Sequence, residues 1–307
     1  MAGGVKLLLT TSIADGKPVF GVACLDNELY VVRRRSADVE VFETSNYKLT
    51  RRLKVTKLHN PLDMAACVQM KRVYVVDGLD PSGKVFAVET QQTSEDAAAS
   101  NNNNRSSSSS SVISTSWSVG EIAMNVSVTS TATVVVTCGK VAQLREFTHD
   151  GQLVRQLSLN DELVSAQHAV QLPDPGTFVV CHGWMNDDLH RVCVVDAEDA
   201  DSPPMHVYGT HRGSSSTNSL HNASHLSVDP QRSCVFVVDM GNRRVVALSF
   251  TLKQLTDFSI VDDKKRLPSR ISLDTENCLL YVACNEWKDV FWTSGSVKVF
   301  SVCYQEH

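Results

Sequence analysis

Four side chains of four chemical kinds, Asp63, Gln167, His225 and Arg270, each stand 11 residues before an aromatic residue (Tyr74, Phe178, Phe236 or Tyr281) in a run rich in valine. A carboxylate, an imidazole and a guanidinium brought to one place can act as an acid–base set, or they can neutralise one another as a structural network. The network is the favoured reading, because no nucleophile motif, phosphate loop or dinucleotide fingerprint accompanies them. Ten histidines raise the question of zinc. His221 and His225 are four apart, yet on an extended segment that spacing does not converge as it would on a helix. His59 and His221 open the equivalent stretches HNPLD and HNASH, so repetition accounts for them. Calcium wants several oxygen ligands, and only Asp63 and Gln167 could supply them. No metal and no cofactor is expected.

A second polar group lies in CVFVVDMGNRRVVALSF, residues 234–250, where Asp239, Gly241, Asn242, Arg243 and Arg244 separate two apolar runs. Gly and Asn tolerate positive φ, and an Asp carboxylate can accept backbone N–H bonds across a bend. The stretch predicts a hairpin in which Asp239 and Asn242 shape the turn and Arg243 or Arg244 pairs with a nearby carboxylate. A third group is aromatic. Trp184 and Met185 lie in CHGWMNDDLHR, and Trp287, Phe291 and Trp292 in CNEWKDVFWTSGS, so two loops hold three of the four tryptophans. Large rings can fill gaps between elements, but Trp and Met are also favoured at recognition surfaces.

The elements that must position these residues repeat. Tyr30, Tyr74, Val134, Phe178, Phe236 and Tyr281 are spaced by 44, 60, 44, 58 and 45 residues. The two long gaps contain insertions, at 91–111 and 196–218. The first, QQTSEDAAASNNNNRSSSSSS, has no apolar face to bury and predicts a disordered loop within the second unit. Without the insertions the period is about 44, that of a propeller blade. Each unit reads as four short strands, which predicts an all-β fold: a six-bladed β-propeller of four-stranded antiparallel blades in one domain. The sixth unit ends at its third strand, VKVFSVCYQEH, while VKLLLTTSI near the start belongs to no unit. That N-terminal strand is expected to pair into the last blade and close the ring. Counting back to the channel in the two remaining units selects Phe20 in the first and Met124 in the third.

The hydrophobic content of 42% and charged content of 21% are those of a globular chain. A net charge of −5 provides no general attraction to nucleic acid. The nine cysteines show no CxxC pairing. With no apolar run long enough for a leader or a membrane span, free thiols in a reducing, cytoplasmic setting are expected.

The stretch VVDMGNRRVVAL resembles the NHL repeat, with Asp239, Gly241, Asn242, Arg244 and Val245 on the motif positions. Other units keep fragments only: Asp77 with Lys84 and Val85, Arg191 with Val192, and Arg33 to Arg35. NHL propellers are mostly protein- or RNA-binding modules, so the resemblance implies a monomeric, non-enzymatic scaffold holding a protein or peptide on its channel-mouth face. The expected surface is the mouth with the two aromatic loops. A propeller hydrolase or lyase, and an RNA-binding NHL face, are the alternatives.

Overall fold

The computed structural model describes residues 5–78, 81–90, 110–111, 114–211, 218–261, 265–289 and 291–304. Six antiparallel sheets follow one another around a central channel. Blade one comprises Val19–Leu25, Glu28–Arg33, Asp38–Glu43 and Leu49–Lys54. Blade two comprises Pro61–Cys67, Arg72–Asp77, Lys84–Glu89 and Ser114–Ser118, and blade three Asn125–Val128, Val134–Cys138, Gln143–Phe147 and Leu153–Ser158. Blade four is Ala166–Gln171, Thr177–His182, Leu189–Asp196 and His206–His211. Blade five is Ala223–Asp229, Cys234–Asp239, Arg244–Ser249 and Gln254–Ser259. Blade six has three strands of its own, Arg266–Asp274, Leu279–Lys288 and Phe291–Tyr304. Its outer strand is Val5–Gly16, which pairs antiparallel with Phe291–Tyr304 from Val5 opposite Tyr304 to Gly16 opposite Gly295. The ring is closed by the N-terminal strand, as the missing fourth strand of the last unit required.

The apolar core is not central but divided into six clusters, one between each pair of neighbouring blades. Successive residues of a strand face opposite sides, so every second strand must be apolar on both. In blade five Phe236 and Val238 pack toward blade six, whereas Val235 and Val237 pack toward blade four. This is why the valine runs are continuous rather than alternating. The cluster of Val19, Val22 and Val31 with Tyr281, Val297 and Val299 joins blade six back to blade one.

Most of the predicted low-complexity loop, 91–109, lies outside the described residues. It leaves from Lys84–Glu89 and returns at Ser114–Ser118, and Ser110–Ser111 add in parallel to the outer strand of blade one, opposite Leu53 and Lys54. None of the nine cysteines forms a disulfide. Among the described residues no helix is long and apolar enough to cross a membrane.

Candidate functional site

Near its start, the first strand of five blades carries a one-residue register shift: between Val19 and Gly21, Pro61 and Asp63, Ala166 and His168, Ala223 and His225, and Pro268 and Arg270. A β-bulge re-aims the following side chain and leaves backbone groups without ladder partners. The residues just past it form a ring around the upper channel, the end where first strands begin: Gly21, Asp63, His168, His225 and Arg270. Asn125, opposite Thr137, occupies the same place in blade three.

Side chains of this ring tie the blades across the channel. Arg270 of blade six reaches past blade one and donates to the bulge carbonyl of Leu62 in blade two, from Nε at 3.2 Å and Nη2 at 2.8 Å. Its Nη1 donates to Ser269 O at 2.9 Å. Asp63 is fully buried. Its Oδ1 lies 3.1 Å from His225 Nε2, in the blade directly opposite, and 3.3 Å from Arg270 Nε, while Oδ2 accepts the Val126 N–H at 2.9 Å. His168 stacks on His225 with ring centroids 3.9 Å apart and planes 10° from parallel. Leu226 N–H donates to its Nδ1 at 3.1 Å, which leaves Nε2 as the protonated nitrogen facing Val126 O at 3.3 Å. Asn125 Nδ2 donates to the bulge carbonyl of Gln167.

Burial would push the Asp63 carboxyl up, but His225 and Arg270 overcome it and hold the group below the usual carboxylate range. Burial dominates for both imidazoles. It pushes His225 down despite Asp63, and His168 well down with His225 adding to the effect. The stable assignment is therefore one carboxylate, one guanidinium and two neutral imidazoles, with no net charge.

Asp63, His168 and His225 each offer a possible ligand atom, all within 4.8 Å of one another. They do not fit a metal. The stacked rings hold their lone pairs side by side instead of converging. His168 commits one nitrogen to the Leu226 N–H and points the other at a carbonyl, and a guanidinium already sits on the carboxylate.

The structure brings Asp63, His225 and Arg270 together as the spacing predicted, but inside the channel rather than at an open mouth. Three positions need correction. Phe20 and Gln167 are the bulged residues themselves, and Met124 likewise stands one place short of Asn125, so the ring holds Gly21, His168 and Asn125 instead. Gln167 turns back to donate to Ser165 O at 2.8 Å. The count slipped in blade four because Phe178 is not the counterpart of Tyr74. Phe178 packs toward blade three, while Val179 packs toward the following blade as Tyr74 does. A better landmark was the last residue of the second strand, since Asp63, His168 and His225 lie 14 residues before Asp77, His182 and Asp239.

The Asp239 group is a structural clamp. Its carboxylate accepts from His221 N at 2.7 Å, Asn242 Nδ2 at 2.8 Å and Arg244 Nε at 2.7 Å, across a 3-10 turn at Met240–Asn242 that ends with Arg243 at φ 59°. Asp77 plays the same part in blade two, accepting from His59 N at 2.7 Å and Asn60 N at 3.3 Å.

On the upper face two connections between second and third strands carry the aromatic residues. Trp184, Met185 and Phe291 are 37%, 38% and 61% exposed. The Trp184–Asp187 turn is tightened by Asp187 Oδ2, which accepts the Trp184 N–H at 2.6 Å. Trp287 and Trp292 face each other across the long blade-six hairpin, edge to face, with centroids 4.7 Å apart. Trp292 also packs against the core between blades five and six. Below the ring, the channel widens into a cavity of 390 Å³ that opens between the turns joining first to second strands.

No protein-family model matches the chain, and no curated protein matches it. Solved structures do. The PQQ-bound aldose sugar dehydrogenase of Streptomyces coelicolor is 10% identical with a TM-score of 0.63, over 97% of this chain and 99% of that one. Hydrazine synthase of Kuenenia stuttgartiensis is 12% identical with a TM-score of 0.59, over 93% and 97%. The Cps50 (Swd1) β-propeller domain of Myceliophteria thermophila is 8% identical with a TM-score of 0.56, over 93% and 84%. At such identities the likeness is one of fold alone. With the six closed blades, it makes this chain a six-bladed β-propeller.

Proposed function

We propose that this propeller is a non-enzymatic scaffold that holds a protein or peptide on its upper face. The observation that carries the reading is the contrast between two groups of residues. Trp184, Met185 and Phe291 stand exposed on two hairpin ends of that face, whereas Asp63, His225 and Arg270 are consumed in ties across the channel. The Asp63 carboxylate is already committed to His225, Arg270 and the Val126 N–H, which weighs against the hydrolase or lyase alternative. The Asp239 clamp and its partial copy at Asp77 support an NHL-type repeat, since Asp239, Asn242 and Arg244 act as one hydrogen-bonded unit.

Exposed anchors and packed ones separate in experiment. Truncating an interface anchor typically costs about 2 kcal/mol or more of binding, while truncating a packed ring costs folding stability. Trp184→Ala and Phe291→Ala are expected to keep the wild-type melting temperature and lose the same captured protein in quantitative pull-downs. Trp292→Ala is expected to lower the melting temperature. Trp184 and Phe291 variants that retain every partner would rule out this surface.

A further inference from the structure

The cavity below the ring lies on the opposite face from the proposed protein-binding surface and is built differently. Its upper end is formed by His168 and His225, and its walls by the first strands of all six blades. Among the described residues, no aspartate, glutamate, lysine or arginine lines it. Nor does the ring above supply a net field, because the Asp63 carboxylate is matched by Arg270 and both imidazoles are neutral. Most of the lining residues are aliphatic, although polar atoms make up nearly half of the surface they expose. Within the lining Ser227 and Ser272, on adjacent blades five and six, make no side-chain hydrogen bond to the protein, whereas the partnerless Ser127 hydroxyl is sealed off from the space. At the lower opening, by contrast, the polar groups are already engaged. Gln171 Oε1 accepts from Ser130 N and Oγ, both at 3.0 Å, and Gln69 Nε2 donates to Ser130 O at 3.3 Å. The opening is thus braced while the serines inside are left available.

We propose that this lower channel is a binding site for a small uncharged molecule with an apolar body and one or two hydroxyl or carbonyl oxygens. The size is that of ordinary ligand pockets. An ion entering the channel would lose its hydration without finding an opposite charge, whereas a neutral molecule trades apolar area against the aliphatic walls and gives the serine hydroxyls a partner. The proposal does not depend on the upper-face reading.

The probes are three molecules of one shape: p-cresol, p-toluate and 4-methylbenzylammonium, neutral, anionic and cationic at pH 7. Saturation-transfer NMR with the full chain is expected to detect p-cresol, with a dissociation constant on the order of 1 mM or tighter, and to find both ions at least about 10-fold weaker. Ser227→Phe and Ser272→Phe fill the cavity and should abolish p-cresol binding while the far-UV spectrum is retained. If neither folds, the Ser227→Ala, Ser272→Ala double variant removes only two oxygens and should weaken p-cresol by roughly 3-fold or more. The site is refuted if p-cresol shows no transfer, if the ions bind equally well, or if binding survives both filling variants or, where those do not fold, the double alanine variant.

Discussion

Individual polar residues in this molecule are decided by the backbone groups they meet. Asp77 and Asp239 close their blades by accepting N–H groups from the segment that leads into the first strand. Blade four has His182 at that position. It is fully buried, with Nδ1 unpartnered and Nε2 facing Cys193 Sγ at 3.6 Å. Burial, reinforced by Arg191, pushes its pKa down to about 4. The unfolded chain takes up this proton near pH 6.5, so folding holds the imidazole neutral. Its contribution is complete above that pH, declines as pH falls, and is lost by about pH 4. At about 1.4 kcal/mol per pH unit the full loss is roughly 3 to 4 kcal/mol. His168 and His225 are shifted in the same direction and add to it. Urea midpoints at pH 7.5 and 4.5 test this. His182→Gln should flatten part of the difference, and an unchanged difference would show that another group carries the acid sensitivity.

At the scale of elements, the bulged first strand decides where chemistry can occur. The shift leaves the Leu62, Gln167 and Ser269 carbonyls free of the ladder, and Arg270 and Asn125 take them. Gly21 is the ring residue of blade one, and a Cβ there would stand 2.8 Å from Met64 N and 2.7 Å from Val32 Cγ2. Met64 N is backbone of the next blade, so relief requires the two first strands to part. Gly21→Ala is expected to cost about 1–3 kcal/mol, measured by urea unfolding. A variant as stable as the parent would mean that blades one and two can slide apart freely. Phe20, Met124 and Gln167 each stand one place short of the ring; for Gln167 the reason is that the apolar residue at the landmark position is not the same strand position in every blade, as Phe178 and Val179 show.

For the whole molecule, closure is the governing constraint. Six inter-blade cores form a cycle, and the outer strand of the last blade comes from the other end of the chain. Val5 and Leu7 of that strand pack into the core between blades five and six. Deleting residues 5–16 would withdraw both side chains, each worth about 2 kcal/mol when buried, and bare the 14-residue strand Phe291–Tyr304 as an open edge. The expected result is a lower, less cooperative thermal transition and self-association in size-exclusion chromatography. A monomer with the parent melting curve would overturn the view that closure stabilises the ring.

Blade number, strand count and ring closure were readable in the chain, because they rest on local pattern. Valine runs buried on both sides recur about every 44 residues, with Tyr30, Tyr74, Phe236 and Tyr281 as fully buried landmarks. The Asp239 clamp was readable for the same reason, its partners lying close in sequence. The repeat spacing put Asp63 with His225, 162 residues away, but tertiary structure alone decided that they meet buried across a channel rather than at a mouth. It also decided that His168 replaces Gln167, since shifting a strand by one residue turns every side chain to the other face. Trp184 and Trp292 look alike in sequence. One stands at an exposed turn and the other rests on the core between two blades, and only the packing of those blades distinguishes them.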